Sequence, residues 1–297
     1  DFIKLIGNSG YDDIRSQVYI GEGKIAFTGL TQSGTDPEGD VFLYFMDDKG
    51  NLLSTNFYGK DKEDGGNGII KTSDGGFLIS GHTALPISGD ECDAMVTKLN
   101  SEGILEWQVN LGGPLDETSY SAIEALDGTY WIAGTQKDEK FDQQKAIIFH
   151  INSNGKLLST VLAPQEYQRK EGLNFVNKSA SRIIQYDEKL LIIGGVIPYK
   201  YGIENDWGNT ISLKPVIWLY HCDSSNIALI DQYKININYN SKKSNVQMMN
   251  DIILDDTKNK LLLFGAIDTT NNTQIKVSFP WMNIVSIFNN KILVDST

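Results

Sequence analysis

The chain has 297 residues, 40% of them apolar and 10% aromatic, an ordinary globular composition with enough apolar matter for a core that folds unaided. Its 38 acidic and 26 basic residues give a net charge of −12 and a pI near 4.7. That balance argues against nucleic acid and anionic membrane surfaces as partners, since phosphate contacts need clustered Lys and Arg, and it suits cations or neutral ligands. No run is long enough to span a bilayer as a helix, and no signal peptide is visible. The chain opens inside a strand-like segment at Asp1, which fits a leader removed upstream, with or without a lipid anchor.

In chain order, Asp1 to Gly7 reads as a lone outer strand, and a repeated phrase follows. An apolar run ends in glycine, then a second apolar run closes in an Asn/Asp-x-x-Gly turn. It appears at Ile25–Gly29 with Val41–Gly50, at Phe77–Gly81 with Ala94–Gly103, at Tyr130–Gly134 with Ala146–Gly155, and at Leu190–Gly194 with Val216–Asn226. The strand-ending glycines lie 52, 53 and 60 residues apart, the range for one four-stranded propeller blade. A fifth, weaker copy carries Leu261–Gly265 and Ile284–Phe288. The spacing therefore predicts an all-β fold, a single β-propeller of four-stranded antiparallel blades. Five blades are expected, with six the alternative. Repeats fall at about 8–59, 60–112, 113–164, 165–237 and 238–297, with 1–7 as an extra outer strand. Terminal strands are expected to close the fold, and the fifth blade has two candidates for its outer strand, Phe2–Ile6 and Ile292–Asp295.

Within repeat two the strands are expected at Gly68–Lys71, Gly76–Gly81, Ala94–Leu99 and Leu105–Leu111. The last alternates Leu105, Trp107, Val109 and Leu111 with polar residues, the period of a half-buried strand. Second strands such as Leu190-Leu191-Ile192-Ile193 are apolar on both faces and read as core. Asp or Asn at the first turn position bonds its own backbone two residues on, and glycine at the fourth takes the left-handed conformation that closes the hairpin. The pairs Gly65-Gly66 and Gly75-Gly76 read as turn glycines. Cys92 and Cys222 fall in separated repeats and are expected as free thiols.

The stretch Asp74 to Thr83, then Asp93 to Leu99, Gly103 to Trp107 and Leu111 to Gly113, resembles the bacterial β-propeller repeats of secreted and surface proteins, including the type called delta-60. The resemblance covers about four fifths of the chain and fades after residue 165. It implies a propeller scaffold and a bacterial extracytoplasmic location, secreted, periplasmic or on the cell surface. It implies no particular chemistry.

In an antiparallel blade the first-to-second and third-to-fourth turns share one face, here short, and the remaining loops share the other, here long and irregular. Function on a rigid scaffold concentrates in such loops. Acids from Asp36 to Glu117 project there, and they read as a solvated surface that keeps the protein soluble rather than as a cation site or a glycosidase pair. No calcium-loop motif is present, so no cofactor is expected, although a bound divalent cation fits the charge. The loop holding Tyr199, Tyr201, Glu204, Asp206 and Trp207 combines aromatic faces with acids, the chemistry of a sugar or peptide site, and Trp281 sits in the matching insertion of the next repeat. His82 follows a strand-ending glycine on the same face. His150 and His221 share one repeat position with Met46 and Lys98 and read as structural. The expected function is therefore a non-catalytic binding or scaffold protein that holds a glycan, peptide or protein on the long-loop face. The alternative is a carbohydrate-active enzyme, which would need carboxylates at the starts of the first strands.

Overall fold

A computed structural model describes residues 6–7, 10–32, 38–59, 62–84, 92–138, 143–163, 179–201, 211–222, 227–235, 246–255, 260–270, 276–288 and 291–293. The first sheet holds β1 (Asp12–Gly21), β2 (Lys24–Thr31), β3 (Asp40–Asp47) and β4 (Leu52–Tyr58). The second holds β5 (Asp64–Lys71), β6 (Phe77–Ala84), β7 (Cys92–Leu99) and β8 (Leu105–Leu111), and the third β9 (Asp116–Glu124), β10 (Tyr130–Asp138), β11 (Gln143–Ile151) and β12 (Leu157–Leu162). The fourth holds β13 (Ser179–Asp187), β14 (Leu190–Tyr201), β15 (Ile211–Cys222) and β16 (Ile227–Lys234), and the fifth β17 (Val246–Leu254), β18 (Lys260–Thr270), β19 (Lys276–Phe288) and β20 (Lys291–Leu293). Every sheet is antiparallel with its strands in sequence order, the fold of a five-bladed β-propeller. In the fifth sheet the outer place belongs to β20, through Ile287↔Ile292. Of the other candidate, Phe2–Ile6, only Ile6 is among the described residues.

The chain forms two compact units, Asp1–Gln136 with Phe149–Thr160, and Lys137–Ile148 with Val161–Thr297. In the first, Ala26, Val41, Leu43 and Phe45 pack on Ile69, Phe77, Ile79, Met95 and Leu99, so second and third strands bury both faces against the adjacent sheet. In the second, Ile192, Ile217 and Leu219 pack on Ile252, Leu261, Leu263 and Val285. Each of these side chains larger than alanine contributes about 1.5–3 kcal/mol on leaving water. The fourth strands alternate less deeply: β4 is exposed along its first four residues.

Hairpins between third and fourth strands form as the Asn/Asp-x-x-Gly pattern requires. Asn100 Oδ1 accepts from the backbone N–H groups of Glu102 and Ile104 at 3.0 and 2.9 Å, and Asn152 Oδ1 does the same for Asn154 and Lys156. Gly103 and Gly155 both sit at φ 79°, where a side chain would be strained. The fourth such turn, ending at Asn226, lies outside the described residues.

First strands depart from expectation. β5 begins at Asp64, so Gly65 and Gly66 lie inside a strand rather than in a turn. A Cβ on Gly66 would meet Thr28 Oγ1, Ile79 and Val41, side chains of the two sheets that close around it. Glycine here answers a close approach between sheets, not a bend.

Candidate functional site

Cross-strand pairing shows what the repeated glycine does. Ile14 pairs with Gly29 and Ser16 with Thr28, leaving Arg15 as an extra residue in β1. Gly66 pairs with Gly81 and Gly68 with Ser80, leaving Asn67 in β5. The same bulge leaves Ser181 in β13, beside Gly195, and Asn250 in β17, beside Gly265. The repeat glycine of the fourth sheet is thus Gly195, not Gly194. A Cβ on Gly29 would strike the carbonyl oxygen of Asp13, one on Gly81 that of Gly65, and one on Gly134 that of Thr118. Each first strand bulges its carbonyl into space that only glycine leaves open. By this correspondence Tyr120 holds the bulge position of the third sheet.

Arg15, Asn67 and Tyr120, three bulge residues from successive first strands, line one cavity of about 670 Å³ in the first unit. Its remaining walls come from Glu38, Lys62 and Glu63, just before β3 and β5, and from His82 and Ala84 of β6, Cys92 of β7 and Thr118 of β9. A hydrogen-bonded chain crosses it. The Arg15 guanidinium donates through Nε to Asp13 Oδ2 at 2.9 Å and through NH1 to Asn67 Oδ1 at 2.9 Å. Asn67 Nδ2 donates to the carbonyl of Ser119 at 2.9 Å and lies 3.5 Å from His82 Nδ1. His82 Nε2 lies 3.4 Å from Glu63 Oε1. Gly65 leaves room for this crossing, because a Cβ there would meet both the His82 ring and Arg15 NH1. Burial pulls His82 below the ordinary histidine range against the raising pull of Glu63 and Asp64, and Arg15 lowers it further. Burial also raises the Tyr120 hydroxyl and the Cys92 thiol. Burial thus favours the Cys92 thiol over the thiolate.

The acids read as a solvated loop surface are in part buried at strand starts, a correction to the sequence reading. Asp40, Asp64 and Glu117 are each 1% exposed. Asp12 and Asp40 flank Thr31 across the first sheet, as Asp64 and Asp93 flank Thr83 across the second. Asp40 and Asp64 both crowd Gly59, and Asp93 and Glu117 both crowd Gly112, so adjacent sheets set carboxylates side by side. Glu117 accepts from Gln136 Nε2 at 2.7 Å and from the Gly113 N–H at 3.3 Å. Burial, then the neighbouring Asp93 and Asp116 charges, still raise its carboxyl, and burial raises that of Asp93. Acidic residues also open the first strands at Asp12, Asp64 and Asp116. Among the described residues no group of three or more His, Cys, Asp or Glu is placed to hold a metal ion.

Of the residues singled out from sequence, His82 lies on the cavity wall. Tyr199 and Tyr201 fall at the end of β14, where Tyr201 pairs with Ile211, and Trp281 pairs with Gly265 within β19. Glu204, Asp206 and Trp207 lie outside the described residues. His150 is buried, stacked on Trp131 at 3.8 Å with Nε2 2.9 Å from Thr129 Oγ1, a packing role. Cys92 and Cys222 are free thiols. Sequence reasoning missed Arg15, Asn67 and Tyr120. Their usable signal was distance from the repeat glycine, 14 residues before it in all three sheets.

No protein-family profile matches the chain, and no curated protein sequence is similar to it. Solved structures with the same fold include a thermostable family-43 glycoside hydrolase, at 10% identity and TM-score 0.53, covering 99% of this chain and 96% of that one. Others are the WD40 domain of Neurospora crassa Pan2, at 9% identity and TM-score 0.55 over 94% of this chain and 64% of that one, and an endo-arabinase from Bacteroides thetaiotaomicron, at 12% identity and TM-score 0.50 over 92% and 94%. At such identity the likeness is one of fold.

Proposed function

We propose that the protein is a non-catalytic binding protein whose ligand is a glycan held in the cavity of the first unit. One observation carries this reading: Arg15, Asn67 and Tyr120 occupy the same bulge position in three successive first strands and line a single polar cavity. Fixed donors and acceptors around one aromatic ring match the alternating hydroxyls and apolar ring faces of a sugar. Glycan-array screening followed by calorimetry on the best hit tests it. Arg15→Ala, Asn67→Ala and Tyr120→Ala should each weaken binding at least about tenfold, the loss of one good polar or stacking contact. Equal binding by all four proteins would sink the reading. The aromatic residues Tyr199, Tyr201, Trp207 and Trp281 remain a proposed second contact surface, to be tested with Trp207→Ala and Trp281→Ala on the same array.

A carbohydrate-active enzyme is the second reading, favoured by the presence of two carboxylates, Glu38 and Glu63, on the cavity wall. Hydrolysis of a chromogenic aryl glycoside that disappears in Glu63→Gln would establish it. An extracytoplasmic location and membership of the bacterial delta-60-like repeats belong to the same proposal. Cell fractionation with an antibody to the chain tests the location.

A further inference from the structure

We propose that Asn67 is a positioning residue that holds His82 as the neutral tautomer with its proton on Nε2. An amide's oxygen and nitrogen are normally exchangeable in a structure, but here both neighbours have fixed polarity. A guanidinium only donates, so Arg15 NH1 at 2.9 Å demands the Asn67 oxygen. A backbone carbonyl only accepts, so Ser119 O at 2.9 Å demands the Asn67 NH2 group. That NH2 group is therefore what faces His82 Nδ1 at 3.5 Å, and Nδ1 must offer a lone pair. The proton then sits on Nε2 and points at Glu63 Oε1, 3.4 Å away.

Charging His82 would set an Nδ1–H against the Asn67 N–H donors, and flipping the amide would set them against Arg15. The charged groups around the ring are Arg15 from β1, Glu63 and Asp64 from the start of β5, with Lys62 on the same cavity wall. The two acids favour an imidazolium; the donor arrangement at Nδ1 opposes it. Glu63 is thus faced by a neutral N–H donor. The consequence for binding rests on the cavity reading above: a ligand rich in hydroxyl donors is recognised, with affinity that does not follow histidine titration. The tautomer itself belongs to the unliganded protein.

Nitrogen-15 spectra of the imidazole rings, with His82 assigned by its loss in His82→Gln, test this across the acid range. Wild type should show a protonated Nε2 and an unprotonated Nδ1, titrating below the ordinary histidine value. Asn67→Asp, which replaces the opposing donor with an acceptor, should move that titration above the ordinary value; Asn67→Ala, which removes the donor facing Nδ1, should raise it part of the way. A wild-type Nδ1–H tautomer, or an Asn67→Ala spectrum identical to wild type, overturns the proposal. If Asn67→Ala does not fold, Asn67→Asp carries the test: a His82 titration that stays where it is in wild type overturns the proposal. Failure of every glycan to bind would remove the ligand reading and leave the tautomer standing.

Discussion

The turns between third and fourth strands and the bulges in the first strands are both repeated structures, but they repeat different things. At the turns the residue recurs with the geometry: Asp47, Asn100 and Asn152 each hold the backbone N–H groups on either side of a glycine. At the bulges only the geometry recurs, and the residue changes from Arg15 to Asn67, Tyr120 and Ser181. A turn's own side chain builds it, so the side chain is fixed. A bulge is built by the glycine opposite, so its side chain is free to vary. Recurring turn and variable bulge thus alternate along the blade, and in the first three sheets the varying residue lines the cavity.

That contrast is sharpened most strongly by damaging the shared core. Phe77→Ala, at a side chain 2% exposed between the first two sheets, should cost about 3–5 kcal/mol in urea unfolding. Next, Gly81→Ala drives a Cβ into the backbone of Gly65 and should cost about 3 kcal/mol, most of it irrecoverable because neither strand can retreat. On the turn side, Asn152→Ala removes two backbone hydrogen bonds and should cost about 1 kcal/mol without altering ligand binding. Arg15→Ala should do the reverse. Its ion pair with Asp13 is partly exposed at both ends, so stability should move by less than about 1 kcal/mol while glycan affinity falls. A turn variant that abolished binding, or a bulge variant that unfolded the chain, would break the contrast.

A smaller effect comes from the buried acids. Glu117 and Asp93 have folded-state carboxyls above the ordinary value, so the native state takes up protons before the unfolded chain does as pH falls. Their contribution to stability is full below the ordinary carboxylate range and is lost as pH rises through their folded values. Asp93→Asn removes one of the two groups and the charge facing the other. The urea midpoint of wild type should fall over that interval more steeply than that of Asp93→Asn; parallel curves would show that the pair does not couple to folding.

The turns, the doubly apolar second strands and the spacing of the glycines are all local in origin, and they were legible from residue order. The first strands were not. A bulge breaks the period of two at Arg15 and Asn67, and Gly65-Gly66 imitates a turn because glycine serves bends and close approaches alike. Residue order does not tell Gly194 from Gly195 for the same reason: which of two adjacent glycines faces the bulge is decided by cross-strand register. The acids misread as solvated, Asp40, Asp64 and Glu117, are buried by the neighbouring sheet, contacts that no short window contains. His82 was visible as a candidate, whereas its partners Arg15, Asn67 and Glu63 come from other strands.

Because the bulged residue stands outside the ladder of backbone pairs, replacing its side chain breaks no rung. The positions of Arg15, Asn67 and Tyr120 therefore act as sockets, and new side chains set there should change the lining of the cavity while the glycines opposite keep the mounting unchanged.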